Sequence, residues 1–372
     1  MQHPLPPSFL RRMQESFTAD EFLKFRESLD LPPVTSVRMN PRKPAGSFPG
    51  STPVPWCEHG YYLDEKPVYT LDPLFHAGVY YPQEASSMIL WSVLQKIAGE
   101  EGRDLKILDL CGAPGGKATL AASFLDGEGV LVTNEVVPTR ARILQENIIK
   151  WGIPNVVVTQ AAPPSFSGVA GLFDVMMVDA PCSGEGMFRK GDTSRQEWSE
   201  ENAASCSVRQ RHILRDSWAA LKEGGWLIYS TCTFNPAENE ENLKWLIRKF
   251  DVEVIPLEVP DDWGVETLPL ASGNALRFMP HKVKGEGFFV VLLRKKSYEK
   301  AVRFPKNPKQ KTKVPTVIRD LVRDPDYFSF REHDDKWSAF PLKYRQFNDL
   351  LQKKLNVFHA GLPLGSLARR DL

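Results

Sequence analysis

The chain has 372 residues, 42% of them hydrophobic and 25% charged, with a net charge of +1, which is length for two or three domains and enough apolar matter for a sizeable core. No apolar run approaches the roughly 20 residues that cross a bilayer, and Met1-Gln2-His3-Pro4 lacks the basic-then-apolar order of a secretory signal. Five cysteines without disulfide or zinc spacing fit a reducing compartment, so a soluble, cytoplasmic protein with no membrane partner and no metal is expected.

In chain order, the first signal is a capping box, Thr18-Ala19-Asp20-Glu21, opening a helix that carries Phe22, Leu23 and Phe25. Ser36 to Asn40 reads as a short strand, Pro44 to Pro55 as punctuation, and Gln83 to Ile97 as an amphipathic helix. Strands are then predicted at 107–110, 130–133, 155–159, 173–178, 226–230 and 288–293. Helices are predicted near 117–126, 138–151, 202–222 and 238–249. This alternation predicts an α/β fold with a doubly wound, mostly parallel sheet. After Lys296 the pattern weakens, with one further helix expected from Tyr344 to Leu355. The expected division is a small N-terminal domain (1–95), a core (96–298) and a basic C-terminal extension (299–372).

The near-neutral net charge hides an asymmetry. Residues 281–372 carry 21 Lys/Arg against 10 Asp/Glu, and the densest stretch, Arg294 to Lys313, has nine basic residues and one acid. Such a run is a solvated linker or a strip that holds phosphate backbones by counterion release.

The strand ending at Leu110 opens into a glycine-rich turn, Cys111-Gly112-Ala113-Pro114-Gly115-Gly116-Lys117. A phosphate loop needs a glycine where Cys111 stands and Ser or Thr where Ala118 stands, and a Gly-x-Gly-x-x-Gly fingerprint is also absent. The turn suits a nucleoside ligand without phosphates. Glu135, at the end of the next strand, is placed to accept hydrogen bonds from ribose hydroxyls. S-adenosylmethionine is a ligand of this kind.

Two further strands end beside cysteines, Cys182 in Asp179-Ala180-Pro181-Cys182 and Cys232 in Ser230-Thr231-Cys232-Thr233. Ligands of open α/β sheets bind beyond the carboxyl ends of the strands, so one pocket and two thiols converge there. A thiolate that adds to carbon 6 of a pyrimidine makes carbon 5 nucleophilic toward a sulfonium methyl, which is covalent catalysis. Lys117 nearby favours thiolate, the base must be swung out of its stack, and Asp179 can bind the amino edge of a flipped cytosine. Cys57, Cys206 and Cys111 read as packing residues.

Together, Leu108 to Lys117, Asp179-Ala180-Pro181-Cys182-Ser183-Gly184-Glu185-Gly186-Met187-Phe188-Arg189-Lys190 and Ser230 to Thr233 resemble the Sun/Fmu-type RNA cytosine-C5 methyltransferases. The Gly-Glu-Gly-x-x-Arg-Lys extension resembles the RsmF-like bacterial branch, which modifies small-subunit ribosomal RNA; Tyr80 to Met88 and Gly287-Phe288-Phe289 match as well. The resemblance implies a methyltransferase-type core and S-adenosylmethionine as cofactor. It implies contacts from Cys111, Gly112, Ala113, Pro114, Gly115, Gly116, Lys117, Glu135 and Asp179. It further implies Cys232 as nucleophile, Cys182 in product release, Asp179 in base recognition and Lys117 in support. The expected partner is ribosomal RNA or the small subunit, bound by a monomer. Transfer RNA as substrate, and a non-catalytic RNA-binding assembly factor, stay open. Two departures stand out: Thr159-Gln160-Ala161-Ala162-Pro163 lacks the acid that the family places near the adenine, and a chain stopping at Leu372 reads as a shortened form or fragment.

Overall fold

The computed structural model of the protein describes residues 3–43, 48–270, 272–304 and 314–367. Its elements in order are α1 (Pro7–Ser16), α2 (Ala19–Asp30), β1 (Ser36–Met39), β2 (Thr52–Pro53), β3 (Gly60–Tyr62), α3 (Pro73–His76), β4 (Tyr80–Pro82) and α4 (Leu90–Glu101). The central region follows with β5 (Lys106–Asp109), α5 (Gly116–Leu125), β6 (Val130–Asn134), α6 (Pro138–Trp151), β7 (Val156–Thr159), β8 (Phe173–Asp179), α7 (Asp192–Glu197), α8 (Glu200–Ser217) and β9 (Leu221–Thr231). After α9 (Glu240–Lys249) come β10 (Val252–Ile255), β11 (Glu266–Pro269), β12 (Asn274–Phe278) and β13 (Phe288–Lys295). The last elements are α10 (Thr316–Arg319), β14 (Phe328–His333), β15 (Lys336–Pro341), α11 (Arg345–Lys354), β16 (Val357–Ala360) and β17 (Leu362–Gly365).

The main sheet has the order β11-β12-β13-β9-β8-β5-β6-β7-β16, with β10 beside β13. Its centre, β7-β6-β5-β8-β9, is parallel, and the strands flanking it are antiparallel. Successive strand residues face opposite sides. Ile107, Val175, Met177 and Ile228 pack with α4 and α5, whereas Leu108, Met176, Val178 and Tyr229 pack with α8, α9 and α11. Because both faces are covered, these strands are near-continuous apolar runs, and that made them readable. The expected α/β fold with a doubly wound, mostly parallel sheet is thus present.

The smaller elements depart from expectation in places. Residues 83–85 precede the helix rather than forming it: a 3-10 turn over Ser86–Ile89 leads into α4. The helix expected to reach 222 ends at Ser217, because Leu221 already belongs to β9. Within the C-terminal extension, residues 314–367 fold: β14, β15 and β17 form a three-stranded sheet, and β16 pairs antiparallel with β7. The start of the basic stretch is structural too. Arg294 pairs with Glu100 and Glu101, Lys295 with Glu299, and Lys296 with Glu253. Lys306 to Lys313, like Pro44 to Ser47, lie outside the described residues. Among the described residues no helix is long and apolar enough to cross a membrane.

The N-terminal unit, with sheet order β2-β3-β1-β4, is fastened to the core by a buried cation. Arg38 has no exposure and donates to Gln83 Oε1 (2.9 Å), Thr119 Oγ1 (2.5 Å) and the Gly116 carbonyl (3.3 Å), with its guanidinium 4.6 Å from the Trp151 ring. Burial pulls its pKa down to about 10. Phe9 and Phe25 meanwhile pack with Phe188, Trp198 and Phe234 of the core.

Candidate active site

A cavity of about 640 Å³ opens beyond the carboxyl ends of β5, β6, β8 and β9. Cys111 and Ala113 of the glycine turn, Glu135, Asp179, Cys182 and Cys232 all border it, so one cavity joins the turn to both thiols. The rest of the turn faces elsewhere. Gly112 lies against Thr133 and Asp109, which a Cβ would meet at 2.0 and 2.9 Å, and the Pro114 carbonyl accepts from Asn147 Nδ2 at 2.8 Å. Gly115, the residue that caps the N-terminus of α5, has φ of +123°, a conformation that favours glycine. Gly116 points its carbonyl to Arg38.

Cys182 Sγ and Cys232 Sγ are 3.2 Å apart. The hydrogen bond to Cys232, then burial, pushes the Cys182 thiol well above its ordinary range, so it remains protonated at neutral pH. Beside them Lys117 Nζ donates to Asp179 Oδ2 at 2.7 Å, and Ser230 Oγ donates to Asp179 Oδ1 at 2.9 Å. Burial opposes the Lys117 charge, but the Asp179 carboxylate outweighs it and holds the ammonium above its usual range. Lys117 does not border the cavity; it supports Asp179, which does. Asp109, fully buried beneath the turn, is raised to about 7 by desolvation, against a hydrogen bond from Thr133.

Glu135 is buried, accepts from the Val137 backbone N–H at 3.0 Å and lies 3.4 Å from Arg140, whose guanidinium also donates to the Ala113 carbonyl at 3.0 Å. The stretch without an acid is held by its backbone. Asn134 donates from Nδ2 to the Ala161 carbonyl (3.0 Å) and accepts the Ala161 N–H at Oδ1 (2.9 Å), leaving Pro163 and Val136 as apolar wall. Of the remaining cysteines, Cys57 and Cys206 are buried, and burial raises both thiols as it does Cys111.

Several polar residues around the site are not among those that the sequence singles out for a role. Glu238, fully buried between α8 and the Cys182 loop, accepts the Ser183 backbone N–H (3.0 Å), Gln210 Nε2 (2.8 Å) and a short bond from the Ser183 hydroxyl. Desolvation raises it to about 7 against those bonds. Glu185 forms an ion pair with Arg12 at 2.6 Å, and Arg189 one with Glu286 at 2.9 Å. Arg38, Asn134 and Gln210 complete the set. Arg189 and Glu185 sat inside a quoted motif; nothing local distinguished Glu238 or Gln210 from a solvated helix face.

The family profile described as 16S rRNA methyltransferase RsmB/F matches residues 96–294, and that of the N-terminal domain of 16S rRNA methyltransferase RsmF matches residues 5–85. Similar curated proteins include ribosomal RNA small subunit methyltransferase F of Erwinia tasmaniensis, 34% identical over 310 residues, 78% of this chain and 63% of that protein. The protein of the same name from Escherichia coli is 33% identical over 318 residues, 81% of this chain and 65% of that protein. The chain therefore spans 63–65% of the length of these relatives. Similar solved structures include a methyltransferase homolog protein from Pyrococcus horikoshii, 26% identical with a TM-score of 0.61 over 78% of this chain and 100% of that one. NSun6 from Pyrococcus horikoshii with SFG shares the fold, at 22% identity and a TM-score of 0.64 over 78% and 98% of the two chains.

Proposed function

The chain belongs to the 16S rRNA methyltransferase RsmB/F family, and from that premise we propose that it transfers a methyl group from S-adenosylmethionine to carbon 5 of a cytosine in small-subunit ribosomal RNA. The observation that carries the reading is the thiol pair at 3.2 Å on the wall of a cavity that also presents Glu135 and Asp179.

The donor set fits that cofactor. Its volume of about 640 Å³ lies within the roughly 300–1,000 Å³ of small-molecule sites. The Glu135 carboxylate suits ribose hydroxyls, Val136 and Pro163 suit a flat apolar ring, and the backbone of Cys111 and Ala113 can approach the ligand closely. When bound, S-adenosylmethionine supplies an electrophilic methyl on a sulfonium.

For the base, Cys232 Sγ would add to carbon 6 as a thiolate, which would leave carbon 5 nucleophilic toward the cofactor's methyl, the sulfur–methyl bond breaking as the carbon–methyl bond forms. Cys182 keeps its proton and lies 3.2 Å from the Cys232 sulfur, placed to give that proton up when the adduct breaks. Carbon 5 would lose its proton to solvent at the open cavity, the carbon 5–carbon 6 double bond would re-form as the Cys232–carbon 6 bond breaks, and Cys182 would protonate the departing sulfur. Asp179, fixed through both oxygens by Lys117 and Ser230, is oriented to accept the exocyclic amino group. Arg209 and His212 of α8, across the cavity mouth, offer contacts to phosphate.

The test is a denaturing gel of Cys182→Ala and Cys232→Ala incubated with S-adenosylmethionine and total ribosomal RNA. A slow-migrating RNA–protein band is expected for Cys182→Ala and none for Cys232→Ala. The reverse pattern makes Cys182 the nucleophile and refutes these roles.

A further inference from the structure

We propose that Glu238 is the positioning residue that holds the Cys182 thiol against Cys232, and that it thereby governs release of the methylated product more than the initial attack. The inference rests on the thiol roles given above. Glu238 does not border the cavity, so it acts through the loops that carry the cysteines.

The geometry brackets Cys182 on both sides. Gln210 Nε2 donates to the Pro181 carbonyl at 3.1 Å and to Glu238 Oε2 at 2.8 Å, while the Ser183 N–H donates to the same oxygen at 3.0 Å. The Ser183 hydroxyl donates to Glu238 Oε1 and lies 2.8 Å from the Thr233 hydroxyl, next to Cys232. With the Ser183 proton committed to the carboxylate, the Thr233 hydroxyl donates to Ser183. The carboxylate is therefore the terminal acceptor of a chain that links both cysteine segments. It is anchored in turn, since the Tyr229 O–H donates to the Glu238 carbonyl at 2.6 Å, with its oxygen 3.0 Å from Gln210 Oε1.

The two thiols depend on this clamp unequally. Cys232 follows directly on a strand whose Thr231 is in register with Phe289, and Thr231 Oγ1 donates to Asn239 at 2.6 Å. Cys182 lies three residues beyond the end of β8, in a loop without ladder pairing. Replacing the Glu238 carboxylate, which accepts from Ser183 and Gln210, by an amide thus loosens Cys182 and leaves Cys232 on its strand.

The experiment is single-turnover kinetics of the full chain with S-adenosylmethionine and total ribosomal RNA, following adduct formation and decay separately. For Glu238→Gln, formation is expected within about twofold of the parent and release slower by about tenfold, the scale of one hydrogen bond to a charged group. An adduct band then appears without any cysteine substitution. Adding Glu238→Gln to Cys182→Ala is expected to change release no further, because both act on one step. Ser183→Ala, which keeps the backbone N–H, is the second variant, with a smaller defect of the same kind. A parallel fall in formation and release, or an additive effect in the double variant, overturns the proposal while leaving the thiol roles intact. Absence of any adduct in Cys182→Ala overturns both.

Discussion

Arg189→Met tests how far the core depends on one buried ion pair, between the loop after β8 and the segment before β13. Arg189 and Glu286 are 4% and 1% exposed, with Arg189 Nε 2.9 Å from Glu286 Oε2, and the guanidinium also donates to the Gly285 carbonyl at 2.5 Å. Losing one partner of such a pair leaves a desolvated charge and costs about 3–5 kcal/mol, roughly two to four powers of ten in the folded-to-unfolded ratio. Burial already raises the Glu286 carboxyl and Arg189 opposes this, so without Arg189 the carboxyl rises further. The variant's native state then binds more protons than its unfolded state, and its stability falls as pH rises through that pKa. The deficit against the parent is therefore expected to be smallest in mild acid and largest at alkaline pH. Urea unfolding at pH 5.5 and 8.5, for the parent, Arg189→Met and Arg189→Met/Glu286→Leu, measures it. The double variant is expected to recover most of the loss, since an apolar pair leaves no orphan charge. A single variant no worse than the double, or a deficit indifferent to pH, refutes the reasoning.

Three other outcomes follow from the site. Gly186→Ala puts a Cβ 2.5 Å from the Gly287 carbonyl oxygen and 2.8 Å from that of Cys232, both backbone atoms. Overpacking of about 1–3 kcal/mol is expected, with methyl transfer lost and S-adenosylmethionine affinity by calorimetry retained within a few-fold. Glu135→Ala removes a buried acceptor from the cavity wall, and S-adenosylmethionine binding by calorimetry is expected to weaken by about 10- to 100-fold, the worth of a hydrogen bond to a charged group. Asp109 and Glu238 are both raised to about 7, so stability is expected to decline from about pH 4 to pH 7 as the unfolded chain sheds protons that the native state keeps. Asp109→Asn should flatten that decline in thermal melts across the range, and an unchanged slope would mean that its carboxyl is not the group responsible.

The parts of this fold that could be read from sequence are those whose physics is local. Strands buried on both faces announce themselves as apolar runs, and Val130 to Asn134 or Phe173 to Asp179 could be little else. The capping box at Thr18 is likewise local, and its hydroxyl accepts the Glu21 N–H at 3.3 Å. What escaped is what distant partners decide. Residues Glu266–Pro269 alternate between half-buried and exposed, and β16 finds its place on β7 about 200 residues earlier in the chain. Glu238 follows Asn235-Pro236-Ala237 at the start of the helix expected over 238–249, where a polar residue reads as solvated, and only the arrival of Ser183 and Gln210 makes it a buried hub. The motifs mark both thiols in the sequence, but their separation is set by elements that the motifs do not contain.

That separation is a consequence of strand register. In the parallel pair β8–β9, Asp179 stands opposite Ser230, so the two chains leave the sheet at the same height. Cys182 and Cys232 then lie three and two residues further on. A slip of one residue would displace one loop by about 3.3 Å and turn its strand residues to the opposite face, separating the thiols and swinging Asp179 away from Ser230. Register here is guarded on both sides. The Ala180 N–H donates to the Ser230 carbonyl at 3.0 Å, the Gly186 N–H to the Cys232 carbonyl at 2.9 Å, and β13 pairs with β9 from Trp226 to Thr231. The antiparallel strands added to the parallel core thus have a chemical role. By fixing β9 from its far side they fix where Cys232 stands, and the choice between a reacting pair and two unrelated cysteines is made by the sheet.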